Sequence, residues 1–291
     1  MRLSTPVRAI ATGCLLFWAG LAHARTTFAE AEGGKIAYET CGAGDRTIVL
    51  LHDGILHAAA YDDVWPLLCQ RFKVVRYDRR GYGATPAATA PFASVDDLAA
   101  VMKAAGVTRA TLVGSSAGSG IAVDFALAHP EAVDGLVLAG PWVSGFSPSA
   151  GFIARSLKLV ALIKLGDLEG AVKDPYILSP TADAERARVV ALLKANPQNL
   201  SGAGRKLERA GPDAKDHLGE IRAPTLVLVG ALDIGDVKTQ AKAVADAVPG
   251  AQLETVPALG HFMYLEKPKA FADRVAAFVD GHPQGAASAG L

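Results

Sequence analysis

The stretch Ala110–Gly120, ATLVGSSAGSG, leaves this chain few folds to choose from. A short apolar run, Ala110–Val113, stops at Gly114-Ser115-Ser116-Ala117-Gly118, and IAVDFALAH follows with helical apolar spacing. Strand, very tight turn and helix in that order make Gly-x-Ser-x-Gly a nucleophile elbow. Its glycines are a steric requirement. The serine takes a strained backbone position, and Gly114 and Gly118 carry no Cβ to strike neighbouring backbone. Ser116 then stands at a helix N-terminus, where outward N–H groups, that of Ala117 first, suit a developing oxyanion. A phosphate loop is excluded, because no Gly-Lys-Ser/Thr follows. The dinucleotide fingerprint fails too: Gly118 and Gly120 fit its first two glycines, but Val123 occupies the third.

The flanking sequence supplies a sheet for that turn. Thr26–Ala31 and Lys35–Glu39 flank Gly33-Gly34 as an edge hairpin. Thr47–Leu51 reads as a central strand buried on both faces. A helix over Ala59–Leu68 and a strand over Phe72–Tyr77 follow. Ser94 is placed to cap a helix through Ala105, with Asp97 at the capping-box position. Further strands are expected at Val133–Ala139, Thr225–Gly230 and Ala251–Val256, with helices over Val237–Ala247 and Lys267–Val279. Between Val143 and Arg222 the alternation stops. Phe152–Leu165 and Ala182–Lys194 read as helices there, among Pro175, Pro180, Pro197 and Pro212. Alternation of this kind implies a mostly parallel, eight-stranded sheet with helices on both faces and a helical cap. The expected divisions are a signal peptide at 1–24, a core of 25–142 and 223–280, a cap insertion at 143–222 and a disordered tail at 281–291.

The N-terminus is set apart by its pattern. Arg2 and Arg8 precede the apolar run Ala9–Leu21, and Ala22-His23-Ala24 offers a small-x-small cleavage site. That run is too short to span a bilayer, so cleavage after Ala24 and a periplasmic or secreted protein are expected, with no stable membrane insertion afterwards. A lipoprotein signal ending at Cys14 fits poorly, because Ala11-Thr12-Gly13 leaves almost no apolar segment before it. The chain carries 29 basic and 29 acidic side chains; loss of Arg2 and Arg8 leaves 27 against 29, a formal charge of −2. That balance points to no nucleic-acid partner. Cys41 and Cys69 remain, and the sequence leaves open whether they pair or stay as thiols. Their spacing is not that of a zinc site, and no metal or cofactor is expected.

A serine hydroxyl is a poor nucleophile at neutral pH, so Ser116 needs a base and the base an orienting acid. His23 leaves with the signal, His282 is in the tail, His129 ends a helix and His217 lies in the cap segment. His261, just after the last strand in Leu259-Gly260-His261-Phe262, is the candidate base. Asp233, in Gly230-Ala231-Leu232-Asp233 after the seventh strand, is the candidate acid, and Asp236 is the alternative. No carboxylate directly follows the sixth strand, which ends at Gly140. The order Ser116, Asp233, His261 is that of one class of triad.

These residues give the chain a resemblance to α/β-hydrolases of the capped, single-domain esterase–lactonase–peroxidase group. It rests on His52-Asp53-Gly54, Asp78-Arg79-Arg80-Gly81-Tyr82-Gly83, the elbow, Gly230–Asp233 and Gly260-His261-Phe262, and spans roughly Thr26–Val279. The resemblance implies a cofactor-free serine hydrolase of small or medium carboxylic esters or lactones, with an oxyanion hole from the Gly54 and Ala117 amides. Perhydrolysis or C–C hydrolysis by the same triad is the enzymatic alternative. A ligand-binding protein with little turnover is another. One departure stands out: the family usually has His-Gly where this chain has His52-Asp53, and an acid beside an oxyanion hole opposes negative charge. Asp53 is expected either to point away, toward Arg79 or Arg80, or to meet the substrate. In the cap, Phe152, Ile153, Leu157, Val160 and Leu162 are expected to roof the strand-end mouth or pack on the core.

Overall fold

The structure, a computed structural model, describes residues 26–282; the expected signal peptide and residues 283–291 of the expected tail lie outside them. β1 (Thr27–Ala31) and β2 (Gly34–Cys41) form the edge hairpin, followed by β3 (Thr47–Leu51). After a single turn, Ala58–Tyr61, come α1 (Trp65–Cys69), β4 (Lys73–Tyr77), α2 (Ser94–Ala104) and β5 (Ala110–Ser115). The chain continues as α3 (Ala117–Ala128) and β6 (Val133–Ala139). The segment that follows holds α4 (Ala150–Lys164), α5 (Leu168–Ala171) and α6 (Asp183–Ala195). β7 (Thr225–Gly230), α7 (Gly235–Ala247), β8 (Gln252–Val256), α8 (Met263–Glu266) and α9 (Pro268–Gly281) complete it.

The eight strands lie in the order β1-β2-β4-β3-β5-β6-β7-β8. β1, β2 and β4 pair antiparallel, and every pairing from β4 to β8 is parallel. Alternate residues feed opposite faces, as strand geometry requires. Val49, Leu51, Leu112 and Leu138 pack with α2, α3 and α7, whereas Ile48, Leu50, Val113 and Val137 pack with α1, α6 and α9. Such buried aliphatic side chains contribute roughly 1.5–3 kcal/mol each. The chain steps from β3 to one side and then returns past it to β5. The loops leaving those two strands therefore diverge, and a crevice opens between them.

Three local expectations are corrected by the structure. The helix expected over Ala59–Leu68 is broken into the Ala58–Tyr61 turn and α1, because Pro66 has no N–H to continue a helix and tolerates only its first turn. Ser94 is the first residue of α2 and caps nothing: its hydroxyl bonds to Glu208, while Asp97 accepts from Arg80 Nε at 2.8 Å. Helix α9 runs past Val279 to Gly281, and His282 Nδ1 bonds the Phe278 carbonyl at 2.8 Å. Within the expected cap, the turn Ala214–Glu220 buries Ala214 and Leu218 in the core on the α3 face. Among the described residues, no helix is long and apolar enough to cross a membrane.

Cys41, ending β2, and Cys69, ending α1, form a disulfide with their Cα atoms 5.5 Å apart. The bond closes a sequence separation of 28 residues across the sheet edge. Replacing both cysteines with serine is expected to lower the unfolding free energy by about 3–4 kcal/mol, from the chain entropy of such a loop. Urea denaturation measures this; an unchanged midpoint and slope would show that the bond is dispensable.

Candidate active site

Ser116 has φ +51° and ψ −118°, a conformation L-residues rarely adopt, at the junction of β5 and α3. Such strain costs of order 1–3 kcal/mol and persists only when the surroundings over-determine it. They do. Ser116 N–H donates to the Ala139 carbonyl at 2.9 Å, and its own carbonyl accepts from Ser119 N–H at 2.9 Å. A Cβ at Gly114 would stand 2.6 Å from the Gly118 backbone, and one at Gly118 would stand 2.3 Å from the Leu51 carbonyl. The motif glycines are there because helix, elbow and β3 touch backbone to backbone.

That contact sets Ala117 beside the loop leaving β3. A Cβ built on Gly54 would meet the Ala117 Cβ at 3.7 Å. Among the described residues, neither the Gly54 nor the Ala117 amide donates to another protein group. The Asp53 carbonyl, in the same peptide plane as Gly54 N–H, accepts from His52 Nδ1 at 2.8 Å and from Arg79 Nη1 at 3.2 Å. Arg79 N–H donates to His52 Nε2 at 2.9 Å, which assigns the ring proton to Nδ1. Burial, followed by the Arg79 charge, holds His52 well below the ordinary imidazole value, so it stays neutral.

His261 and Asp233 meet: Nδ1 lies 2.8 Å from Oδ2. The other Asp233 oxygen accepts from Ile234 N–H at 2.8 Å, and the carboxylate is buried. Because Asp233 accepts a hydrogen bond from Nδ1–H, Nε2 of the neutral ring is the free basic nitrogen. Burial pulls the His261 pKa down, but the Asp233 charge and hydrogen bond, joined by the Asp53 charge, carry it above the ordinary 6.5. Asp236 does not take part. Its two oxygens accept from Ser149 N–H and Oγ, each at 2.7 Å, at the start of α4.

Two residues at this site escaped the sequence reading. Gly140, after β6, has φ +54°, and a Cβ there would lie 2.7 Å from His261 Nδ1 and 3.3 Å from Asp233 Oδ2. Since Ala139 pairs with Ser115, Gly140 brings the imidazole against the elbow. A glycine directly after a central strand was its only signal. Tyr176, in the cap, accepts from His261 N–H through its carbonyl at 2.5 Å, and the Ile177 carbonyl accepts from Phe262 N–H at 3.1 Å. Nothing local in Asp174-Pro175-Tyr176 announces that role.

The cap helix α4 corrects another expectation. It has no buried residue; Ile153, Leu157 and Val160 are 47%, 66% and 46% exposed and pack on neither side of the core. Of the five apolar residues, Phe152 turns inward and stacks on Trp142 with ring centroids 4.4 Å apart, and Leu162 is half-buried. Trp142 N–H in turn donates to the Ser116 carbonyl at 3.3 Å. A cavity of about 510 Å³ lies beside this pair, lined by Phe152, Arg155, Tyr176, Leu232 and Asp233. Among the described residues, no group of three His, Cys, Asp or Glu side chains is placed to hold a metal ion.

Comparison with known proteins gives the family and the fold. Residues 42–268 match the family described as serine aminopeptidase, S33. The chain is 30% identical to a 2-hydroxy-6-oxononadienedioate/2-hydroxy-6-oxononatrienedioate hydrolase of Cupriavidus pinatubonensis, over 84% of this chain and 90% of that one. It is 28% identical to the pimeloyl-[acyl-carrier protein] methyl ester esterase of Edwardsiella ictaluri, over 84% and 97%. Among solved structures, Est816, an N-acyl homoserine lactone degrading enzyme, superposes with a TM-score of 0.72 at 30% identity, over 87% of this chain and all of that one.

The wedge at Gly140 yields an expected outcome. Gly140→Ala should fold, yet lower the turnover of a simple ester by about 100-fold or more, because displacing a reacting group by about 1 Å costs that much. Steady-state kinetics beside a thermal melt will measure it; full turnover would show that the imidazole has room to move.

Proposed function

The chain belongs to the serine aminopeptidase S33 family of α/β-hydrolases, and on that premise we propose that Ser116 attacks small or medium carboxylic esters or lactones. The observation that carries this reading is the Asp233–His261 pair seated on Gly140, beside a positive-φ serine and two undonated amides. His261 Nε2 takes the Ser116 proton as Oγ bonds to the carbonyl carbon. The Gly54 and Ala117 N–H groups receive the oxyanion, and Asp233 stabilises the imidazolium. Collapse expels the alkoxide, which takes the proton from Nε2. Water then attacks the acyl-enzyme with His261 again as base, and the carboxylic acid leaves. No cofactor enters these steps.

The chemistry acts on ester bonds, and the similar proteins include an ester hydrolase and a lactone-degrading enzyme. The Trp142–Phe152 stack and the Tyr176 ring put aromatic groups on the cap side of the site, where Arg155 lies over Tyr176 and pairs with Asp174. The cap segment, residues 143–222, then decides which acyl groups enter. We further propose export: the Cys41–Cys69 disulfide supports a periplasmic or secreted protein, since such bonds persist in oxidising compartments. N-terminal sequencing of exported protein should begin at or near Arg25. Intact Met1 recovered from the cytosol would overturn this, and a lipid-modified Cys14 would make the protein membrane-anchored.

Turnover of a chromogenic short-chain ester tests the mechanism and separates a hydrolase from a ligand-binding protein. Ser116→Ala should lower it by about 10⁴-fold or more, because triad members act as a unit. Asp233→Asn should cost about 10⁴-fold by fixing the wrong tautomer, and Asp236→Asn far less. A base must be unprotonated to act, so a raised His261 pKa places the acidic limb of kcat/KM above 6.5. Full activity in Ser116→Ala would sink the mechanism, and the reverse ranking of the two aspartates would move the acid to Asp236.

A further inference from the structure

Asp53, between His52 and Gly54 in the loop after β3, has a side chain engaged on both oxygens. The residue is 1% exposed. Oδ1 accepts from Ile55 N–H at 2.7 Å and Leu56 N–H at 2.9 Å; Oδ2 accepts from the Tyr264 hydroxyl at 2.8 Å. The expected turn toward Arg79 or Arg80 does not occur: Arg79 bonds the Asp53 carbonyl, not its carboxylate, and Arg80 bonds Asp97. Nor is Asp53 turned toward the place of a developing oxyanion, since both oxygens are committed to these donors.

The consequence for Gly54 is geometric. Its N–H belongs to the peptide whose carbonyl is held by His52 and Arg79. Its C=O accepts from the Tyr82 hydroxyl at 2.7 Å, and the next N–H, that of Ile55, is held by the Asp53 carboxylate. Both peptide planes flanking Gly54 are therefore fixed. The Asp53 carboxylate engages the Ile55 and Leu56 amides and leaves Gly54 N–H as the undonated one. Through Tyr264, three residues after His261, the same carboxylate ties the loop after β3 to the loop bearing the base.

Charge adds a second consequence. A buried carboxylate held by neutral donors retains its field in a medium that screens poorly. The groups around His261 are Asp233 from the loop after β7, Asp53 from the loop after β3, the Tyr176 ring from the cap at 5.9 Å and the neighbouring Phe262 ring. Among the described residues, Asp233 and Asp53 are the charges that act on His261, and both favour the imidazolium; the buried Glu266 carboxylate is held on the Gly260 N–H at 2.8 Å. During acyl transfer the imidazolium and the oxyanion arise together, so a negative charge nearer the cation lowers the barrier and one nearer the oxyanion raises it.

We propose that Asp53 is a positioning residue for acyl transfer, clamping the Gly54 amide beside Ala117 and giving the His261 imidazolium a second buried counter-charge. This rests on the reading of Ser116, Asp233 and His261 given above. The clamp and the charge are separable. Asp53→Asn keeps an oxygen for the Ile55 and Leu56 amides and removes the charge, with the Tyr264 hydroxyl turned from donor to acceptor of the new NH₂. Tyr264→Phe keeps the charge and loosens the clamp.

Full pH profiles of kcat and kcat/KM on a short-chain ester, with thermal melts and a Ser116→Ala control, test the proposal. Asp53→Asn should move the acidic limb of kcat/KM down by about 0.5 unit or more, the direction expected when an oppositely charged partner of an imidazolium is lost. Tyr264→Phe should lower kcat by about tenfold with KM within about twofold, the signature of an interaction made in the transition state. Its limb should stay where the wild type has it. A limb unmoved in Asp53→Asn, together with unchanged kcat in Tyr264→Phe, would overturn the proposal. If Ser116→Ala retained activity, the failure would lie with the triad instead, so the two are distinguishable.

Discussion

The backbone-to-backbone contact between the first turn of α3 and the end of β3 is the constraint on which the rest of the site depends. At Gly118 that contact leaves no room for a single carbon beside the Leu51 carbonyl. Were the helix to retreat by the width of a methyl group, Ser116 would lose the hydrogen bonds that hold its positive φ. Ala117 would leave Gly54. Packing density therefore does here what no side chain does: it fixes two amides and a hydroxyl from different strands within one small volume. The parallel order of β3 and β5 makes this possible, because Leu51 and Gly114 are in register and their loops depart from one level.

Beneath that mouth lies a layer of buried polar groups, each held by backbone. Asp78 accepts from Ala58 N–H and Ala84 N–H, each at 2.8 Å. Asp97 and Arg80 form a buried pair whose guanidinium also reaches the Glu32 carbonyl. His52 joins Asp53 to Arg79. A buried polar group is costly unless fully bonded, and each of these bonds determines the path of a loop rather than adding much net stability. Asn199 carries the same logic to the cap: its side chain lies 3.2 Å from His57 Nδ1 and accepts from Gly83 N–H at 3.0 Å.

How much of this could be read from the sequence follows from which forces are local. The central strands were legible because burial on both faces leaves continuous apolar runs such as Thr47–Leu51 and Thr225–Gly230. The elbow was legible because its strain demands glycines at fixed offsets. Between two nearby acids, the one on the turn immediately after β7 meets His261, since Leu232 N–H on the Leu259 carbonyl pulls that turn toward the base. Ser94 misled because a capping signature is a local offer. Glu208, 114 residues away, outbid the helix end for the hydroxyl. The outward stripe of α4 misled for a related reason: apolar spacing reports a helix, but which side meets the protein is a tertiary fact.

The cap is more than a lid over this fold, because it supplies backbone acceptors to the loop that carries the base. Tyr176 and Ile177 hold the amides of His261 and Phe262 in succession, so the imidazole is positioned from three directions. Asp233 fixes its Nδ1 side, Gly140 fixes its depth, and the cap fixes its main chain. Those acceptors are carbonyls, which any side chain at 176 and 177 would preserve. Sequence change in the cap can therefore reshape the wall at Phe152 and Arg155 without disturbing the base, provided the path of the main chain through residues 174–177 is kept. Loss of that path would unseat His261 even with every catalytic side chain intact. On the proposed mechanism, specificity and catalysis share one segment but depend on different atoms of it, side chains for the first and carbonyl oxygens for the second.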